Sequence, residues 1–135
     1  MADLLQQRAD EARSRAAVRP RYDNLWLRLM ANTAEPDNEQ SCWRWTAKRD
    51  RWGYGRLNVW VPGMGQVVTL MAHIAAYVWL EAGCECADDL YLAYIELQAS
   101  GLELDHGCVH PCCIRPDHLE PMTPQQNSAL RGVAR

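Results

Sequence analysis

Phenylalanine is absent from the 135 residues, and lysine occurs once, at Lys48. The first absence leaves six tryptophans and five tyrosines as the bulky aromatics. We read the tryptophans mainly as core material, with one free to stack on a base. The second absence makes thirteen of the fourteen basic side chains arginine, whose planar fork suits phosphate. Long apolar runs are missing as well. The longest stretch, over 74–80, falls far short of the roughly 20 residues a membrane-spanning helix needs. The N-terminus carries no apolar signal region, so an intracellular, cytoplasmic protein is expected. In a reducing compartment six cysteines read as metal ligands rather than as the framework of a disulfide-rich secreted domain. No internal repeat or low-complexity segment is present.

The length suits one domain with a modest core, and 48% hydrophobic with 23% charged residues is ordinary for a globular chain. The net charge of −3 conceals an asymmetry. From Arg8 to Arg56 the balance is +4, whereas from Glu81 to Glu120 it is −8. A basic half facing DNA and an acidic half facing away is one reading, and a solvated charged surface is the other.

Residues 3–18 are rich in helix formers and end at Pro20, so an N-terminal helical extension is expected over 1–21. A single domain over 22–135 follows. Residues 22–33 place Leu25, Trp26, Leu29 and Met30 at helical spacing. After a polar loop, Cys42-Trp43-Arg44-Trp45 alternates like a strand. Then come YGRLNVW, the turn PGMG and QVVTL, a β-hairpin with a glycine-rich loop. Apolar residues 71–81 read as a helix, and residues 87–99 as an amphipathic one. LELDH begins a short strand and HLEPMT returns. Thr123 caps a terminal helix with Pro124 at its first position and Asn127 within it. The order near the C-terminus is strand, ligand-rich loop, strand, helix.

That loop is the chain's densest chemistry. Asp105, His106, Cys108, His110, Cys112, Cys113 and His118 lie within one short stretch, closed by Asn127. Thiolate and imidazole ligands are interleaved with hard oxygen ligands, suggesting one ion that holds the loop and another that does chemistry. Cys108, Cys113 and His118 are spaced five and five across a loop too short for its own core. A tetrahedral Zn²⁺ would fix it and add folding free energy. Cys42, remote in sequence, is the leading fourth ligand. The alternative is buried cysteines acting as small hydrophobes. Cys84, Cys86, His110 and Cys112 remain: a second zinc among them is one option, and free thiols are the default.

His106-x-Cys108-x4-Cys113-x4-His118-x8-Asn127 with the remote Cys42 resembles the zinc-bearing HNH and His-Cys box endonucleases, the ββα-metal or His-Me finger nucleases. CWRW, the GYGR of Gly53 to Arg56, Ala72-His73, LDH and PDHLEPMT agree, so the likeness runs from about Leu25 to Arg131. The resemblance implies an α+β fold. Its ββα-metal core, at about 102–131, would be stapled by a structural zinc and carry an added β-hairpin and flanking helices. It implies a hydrolase that cuts DNA phosphodiesters, an endonuclease or nickase of the kind found in phages, mobile introns and restriction systems. His106 would be the general base, and Asp105 and Asn127 would hold a catalytic Mg²⁺ or other divalent cation. Arg56 would contact the scissile or a neighbouring phosphate, and Cys42, Cys108, Cys113 and His118 would hold the zinc.

The chemistry suits these residue types. Histidine, with an ordinary pKa of about 6.5, is a competent base at neutral pH. A cation held by two protein oxygens keeps positions open for water and phosphate. Further candidate nucleic-acid contacts are Arg44, Arg51, His73, Arg115 and Arg131, with His73 read first as a hydrogen-bonded structural histidine. Three positions depart from the family pattern. Arg115 stands where an asparagine usually braces the loop, so a structural hydrogen bond is expected to weaken. Ile74 replaces a frequent arginine. The helix over 87–99 reads as an insertion whose acidic face would repel DNA or bind a protein. The competing function is a catalytically inactive zinc-stabilised module that binds DNA or protein. With no appended sequence-reading module, a homodimer or a protein partner would supply specificity.

Overall fold

Five alternating positions decide how the first sheet folds. In β1 (Arg56–Val61), Leu57, Val59 and Val61 are buried while Asn58 and Trp60 face outward, the period of two that a half-covered strand requires. β1 pairs antiparallel with β2 (Gln66–Met71) from Arg56 opposite Met71 to Val61 opposite Gln66. The computed structural model describes residues 25–108 and 110–131. The expected extension over 1–21 and the side chain of Arg131 lie outside what it describes.

The described residues form a small mixed α/β structure with two two-stranded antiparallel sheets and four α-helices. α1 (Leu25–Ala31) buries Trp26, Leu27, Leu29 and Met30. α2 (Ala72–Glu81) follows β2 without a loop. Its small residues Ala72, Ala75 and Ala76 are fully buried, which lets neighbouring elements approach closely. α3 (Ala87–Ala99) packs on α2 and β1 through Leu90 and Tyr94. It also holds the hairpin tip, because Asp88 accepts the Gly63 amide hydrogen at 2.8 Å. Any side chain at Gly63 would occupy the space of that carboxylate. No helix among the described residues is long and apolar enough to cross a membrane.

The second sheet pairs β3 (Glu103–His106) with β4 (Leu119–Met122), with Asp105 opposite Glu120 and His106 opposite Leu119. Between them run the ligand-rich loop and a single 3-10 turn, Pro116–His118. α4 (Pro124–Arg131) packs on both strands. Its start is a reciprocal cap: Gln126 N–H donates to Thr123 Oγ1 and Thr123 N–H donates to Gln126 Oε1. The expected cap and first-turn proline are both present.

The strand expected at Cys42 to Trp45 is a correction in kind. Its alternation holds, with Trp43 and Trp45 buried and Arg44 exposed. Its pairing, however, consists only of isolated bridges, Thr33 to Trp45 and Arg44 to Cys113. Trp45 N–H donates to Cys112 O and Ile114 N–H to Trp43 O, both at 2.8 Å. Each flank offers only a short partner before it turns away, so no ladder grows. The segment is instead a tie between the end of α1 and the ligand-rich loop.

Candidate metal centre and active site

That tie delivers Cys42 to the loop. Cys42, Cys108, Cys113 and His118 bring their ligand atoms within 4.8 Å of one another. His118 Nδ1 lies 3.7 Å from Cys42 Sγ and 3.6 Å from Cys113 Sγ. Tetrahedral zinc, at about 2.3 Å from sulfur and 2.0 Å from nitrogen, sets sulfur–nitrogen edges of about 3.5 Å. None of the three cysteines is in a disulfide. Burial pushes the Cys113 thiol well above its ordinary range and, with the neighbouring Cys108, raises that of Cys42. Burial also lowers the basicity of His118. Clustered, desolvated thiols are poor bare anions but good ligands to a cation that neutralises them, so the four residues fit a zinc-like ion. This is the only such cluster among the described residues. Cys84 is buried with its thiol on Val78 O, and Cys86 and His110 are exposed.

Arg115 corrects two expectations at once. It is 1% exposed and therefore unavailable as a nucleic-acid contact. Its guanidinium donates to both carboxylate oxygens of Asp117 and, at 3.0 Å, to Ser41 O. It thereby links the residue before Cys42 to the residue before His118, and it lies over the Trp43 ring at 5.5 Å. The brace expected to weaken when asparagine is replaced is here made by the arginine itself.

His106, 9% exposed, ends β3. Its Nε2 lies 3.0 Å from Cys113 O. A carbonyl only accepts, so Nε2 carries the hydrogen and the neutral ring holds its lone pair on Nδ1. Burial lowers the His106 pKa, opposed by this hydrogen bond and by the adjacent Asp105 carboxylate. The ring packs 4.7 Å from His73 and 5.7 Å from Tyr54. His73 is 4% exposed, its Nδ1 lacks a partner, and burial followed by the charge of His106 lowers its pKa to about 3. Its burial leaves little surface for a DNA contact, but the hydrogen bond expected of a structural histidine is missing at Nδ1, and ring contacts with His106 and Tyr54 hold it instead.

Asn127 is 3% exposed and is held by Glu103, whose Oε2 accepts from its Nδ2 at 2.6 Å. Its amide oxygen is buried without a hydrogen-bond partner. Strand alternation turns Glu103 and Asp105 to one side of β3 and His106 to the other. The Glu103–Asn127 pair and the His106–His73–Tyr54 rings are therefore joined through β3 itself.

Arg56 is ion-paired with Asp50 at 3.0 Å. The other oxygen of Asp50 accepts the amide hydrogens of Trp52 and Tyr54, so one carboxylate shapes the turn and anchors Arg56. Within GYGR, Gly53 has φ +90°, and a Cβ at Gly55 would lie 2.6 Å from the Trp45 ring. Both glycines are sterically required. Arg44 and Arg51 are exposed, the latter over the Trp52 ring at 4.0 Å.

Sequence reasoning did not find three partners. Glu103 sits two residues before Asp105 in an alternating strand, Tyr54 lies inside GYGR, and Asp117 is two residues from Arg115. Only Glu103 carried a usable signal, the strand period. No family model, curated protein or solved structure matches this chain.

Proposed function

We propose that the chain is a metal-dependent DNA endonuclease or nickase whose β3, ligand loop, β4 and α4 form a ββα-metal core. The observation that carries this reading is the hydrogen bond from His106 Nε2 to the carbonyl of Cys113. It leaves Nδ1 as the proton acceptor and ties the base to a loop that four soft ligands can lock. His106 Nδ1 takes a proton from water as the water oxygen bonds to phosphorus, and the bond from phosphorus to the 3′-oxygen breaks. Asp105 and the otherwise unpartnered amide oxygen of Asn127 would hold a divalent cation on the face of β3 opposite His106, with Glu103 orienting the amide. To meet both the cation and His106, the phosphate would have to lie across the end of β3, where His106 is the last residue. Bound there, such a cation would stabilise charge on the phosphate and the departing oxygen. Arg56, aimed by Asp50, adds fixed positive charge for a phosphate. Cys42, Cys108, Cys113 and His118 would serve folding rather than chemistry.

The test is conversion of supercoiled plasmid by the zinc-loaded protein with Mg²⁺, alongside His106→Ala. Wild type is expected to cut and the variant to be inert. Absence of cleavage by wild type on every DNA form would replace this reading with a zinc-stabilised binding module.

A further inference from the structure

A groove of about 540 Å³ opens between α1, the 45–50 segment and the outer edge of the hairpin. Arg28, Lys48 and Arg56 line it, with Asp50 the single acidic group. That acid is already committed, one oxygen to Arg56 and the other to two backbone amides. Arg28 makes no ion pair among the described residues, and its half-buried guanidinium is desolvated, which lowers its pKa. Asn58 and Thr69, hydrogen-bonded to each other at 2.8 Å, supply a polar wall on the hairpin side. A cationic groove with its one carboxylate neutralised, in a chain of net charge −3, calls for an anionic ligand. One chain of contacts links the groove to the candidate active site. Arg56 lines it, Asp50 positions Arg56, and the same Asp50 turn presents Tyr54 to the His106 ring.

We infer that this groove binds the phosphodiester backbone of the nucleic acid, with Arg28 and Lys48 contacting phosphates next to the one that Arg56 approaches. The inference rests on the nuclease reading for its ligand, but it concerns binding and not cleavage. Phosphate contacts position a duplex without reading its sequence. Their signature is counter-ion release, about 0.9 in the slope of log K against log salt per phosphate contact.

The experiment measures binding of a short fluorescent duplex DNA, without Mg²⁺, over a salt series, with plasmid cleavage run in parallel. Arg28→Gln and Lys48→Gln keep much of each side chain's stem, and unchanged zinc content and melting temperature verify folding. Each is expected to weaken binding roughly fivefold at low salt and to lower the slope by about one. Lys48→Glu is expected to weaken it further. Wild-type affinity and slope in both neutral variants, with cleavage by wild type intact, would overturn the groove and leave the nuclease standing. Loss of slope in the variants of a wild type that binds but never cuts would support the groove and end the nuclease reading. A wild type that neither binds nor cuts DNA would overturn both.

Discussion

His106 and Cys113 are coupled twice over. The Nε2 of the histidine donates to the carbonyl of the cysteine at 3.0 Å, and the cysteine's sulfur belongs to the four-ligand cluster. The residue that would hold the metal therefore also fixes the tautomer and orientation of the residue that would move the proton.

Removing one ligand is expected to be felt throughout the domain. Structural zinc contributes on the order of 10 kcal/mol of binding free energy, comparable to the whole stability of a small domain. Cys108→Ser is expected to lose bound zinc by elemental analysis and to lower the melting temperature by at least about 10 °C. A folded wild type containing no zinc, or a variant melting like wild type, would refute the assignment.

Arg115→Ala removes a buried cation from Asp117 and from the Ser41 carbonyl. We expect a loss of about 3 kcal/mol in urea unfolding. Arg115→Lys should recover little, because an ammonium cannot reproduce the fork on Asp117. Full recovery by lysine would show that charge alone suffices.

Asn127→Ala is expected to abolish cleavage while sparing zinc content and costing only about 1 kcal/mol of stability. Its one side-chain hydrogen bond goes to Glu103, which is exposed and can turn to water. Should the variant unfold instead, Asn127 is a structural residue and its catalytic role fails.

Cleavage should depend on pH through His106. Burial lowers its pKa below the ordinary 6.5, so the base form dominates at neutral pH. The rate is expected to rise through a midpoint below 6.5 and then level off. A midpoint above neutrality would contradict the general-base role.

Stability should depend on pH through His73. Its pKa is about 3 when folded, against an ordinary 6.5. The unfolded chain therefore binds the proton more readily between those values. The stabilisation is complete above about 6.5 and is lost as pH falls toward 3, by up to about 1.4 kcal/mol per pH unit. Urea titrations of wild type and His73→Gln at several pH values should give a flatter dependence for the variant. Equal slopes would rule out His73 as the source.

Local patterns in the sequence were good guides wherever one segment determines its own structure. The hairpin, the helices over 72–81 and 87–99, and the Thr123 cap follow from periodicity, turn residues and capping chemistry. The joining of Cys42 to Cys108, Cys113 and His118 was also legible, because soft ligands on a coreless loop need a fourth partner. The Cys42 to Trp45 segment was less so, since its alternation records burial but not the short partners that limit pairing. Arg115 was misjudged for a similar reason. Its guanidinium is buried by contacts with Ser41, far away in sequence, and by a tryptophan ring. The packing of His73 and Tyr54 against His106 likewise depends on three separate elements meeting, which no local period encodes.

Cys42 and Cys108 stand 66 positions apart, and the whole hairpin, α2 and α3 lie between them. An ion bound by both would close this span as a covalent crosslink does, though reversibly. Closing a flexible loop of that length costs about 4 kcal/mol of chain entropy. The ion would bear part of that cost once the chain had collapsed far enough to present all four ligands. Metal uptake would then come late in folding, and metal loss would release the largest stretch of the domain rather than the small loop that carries three of its ligands.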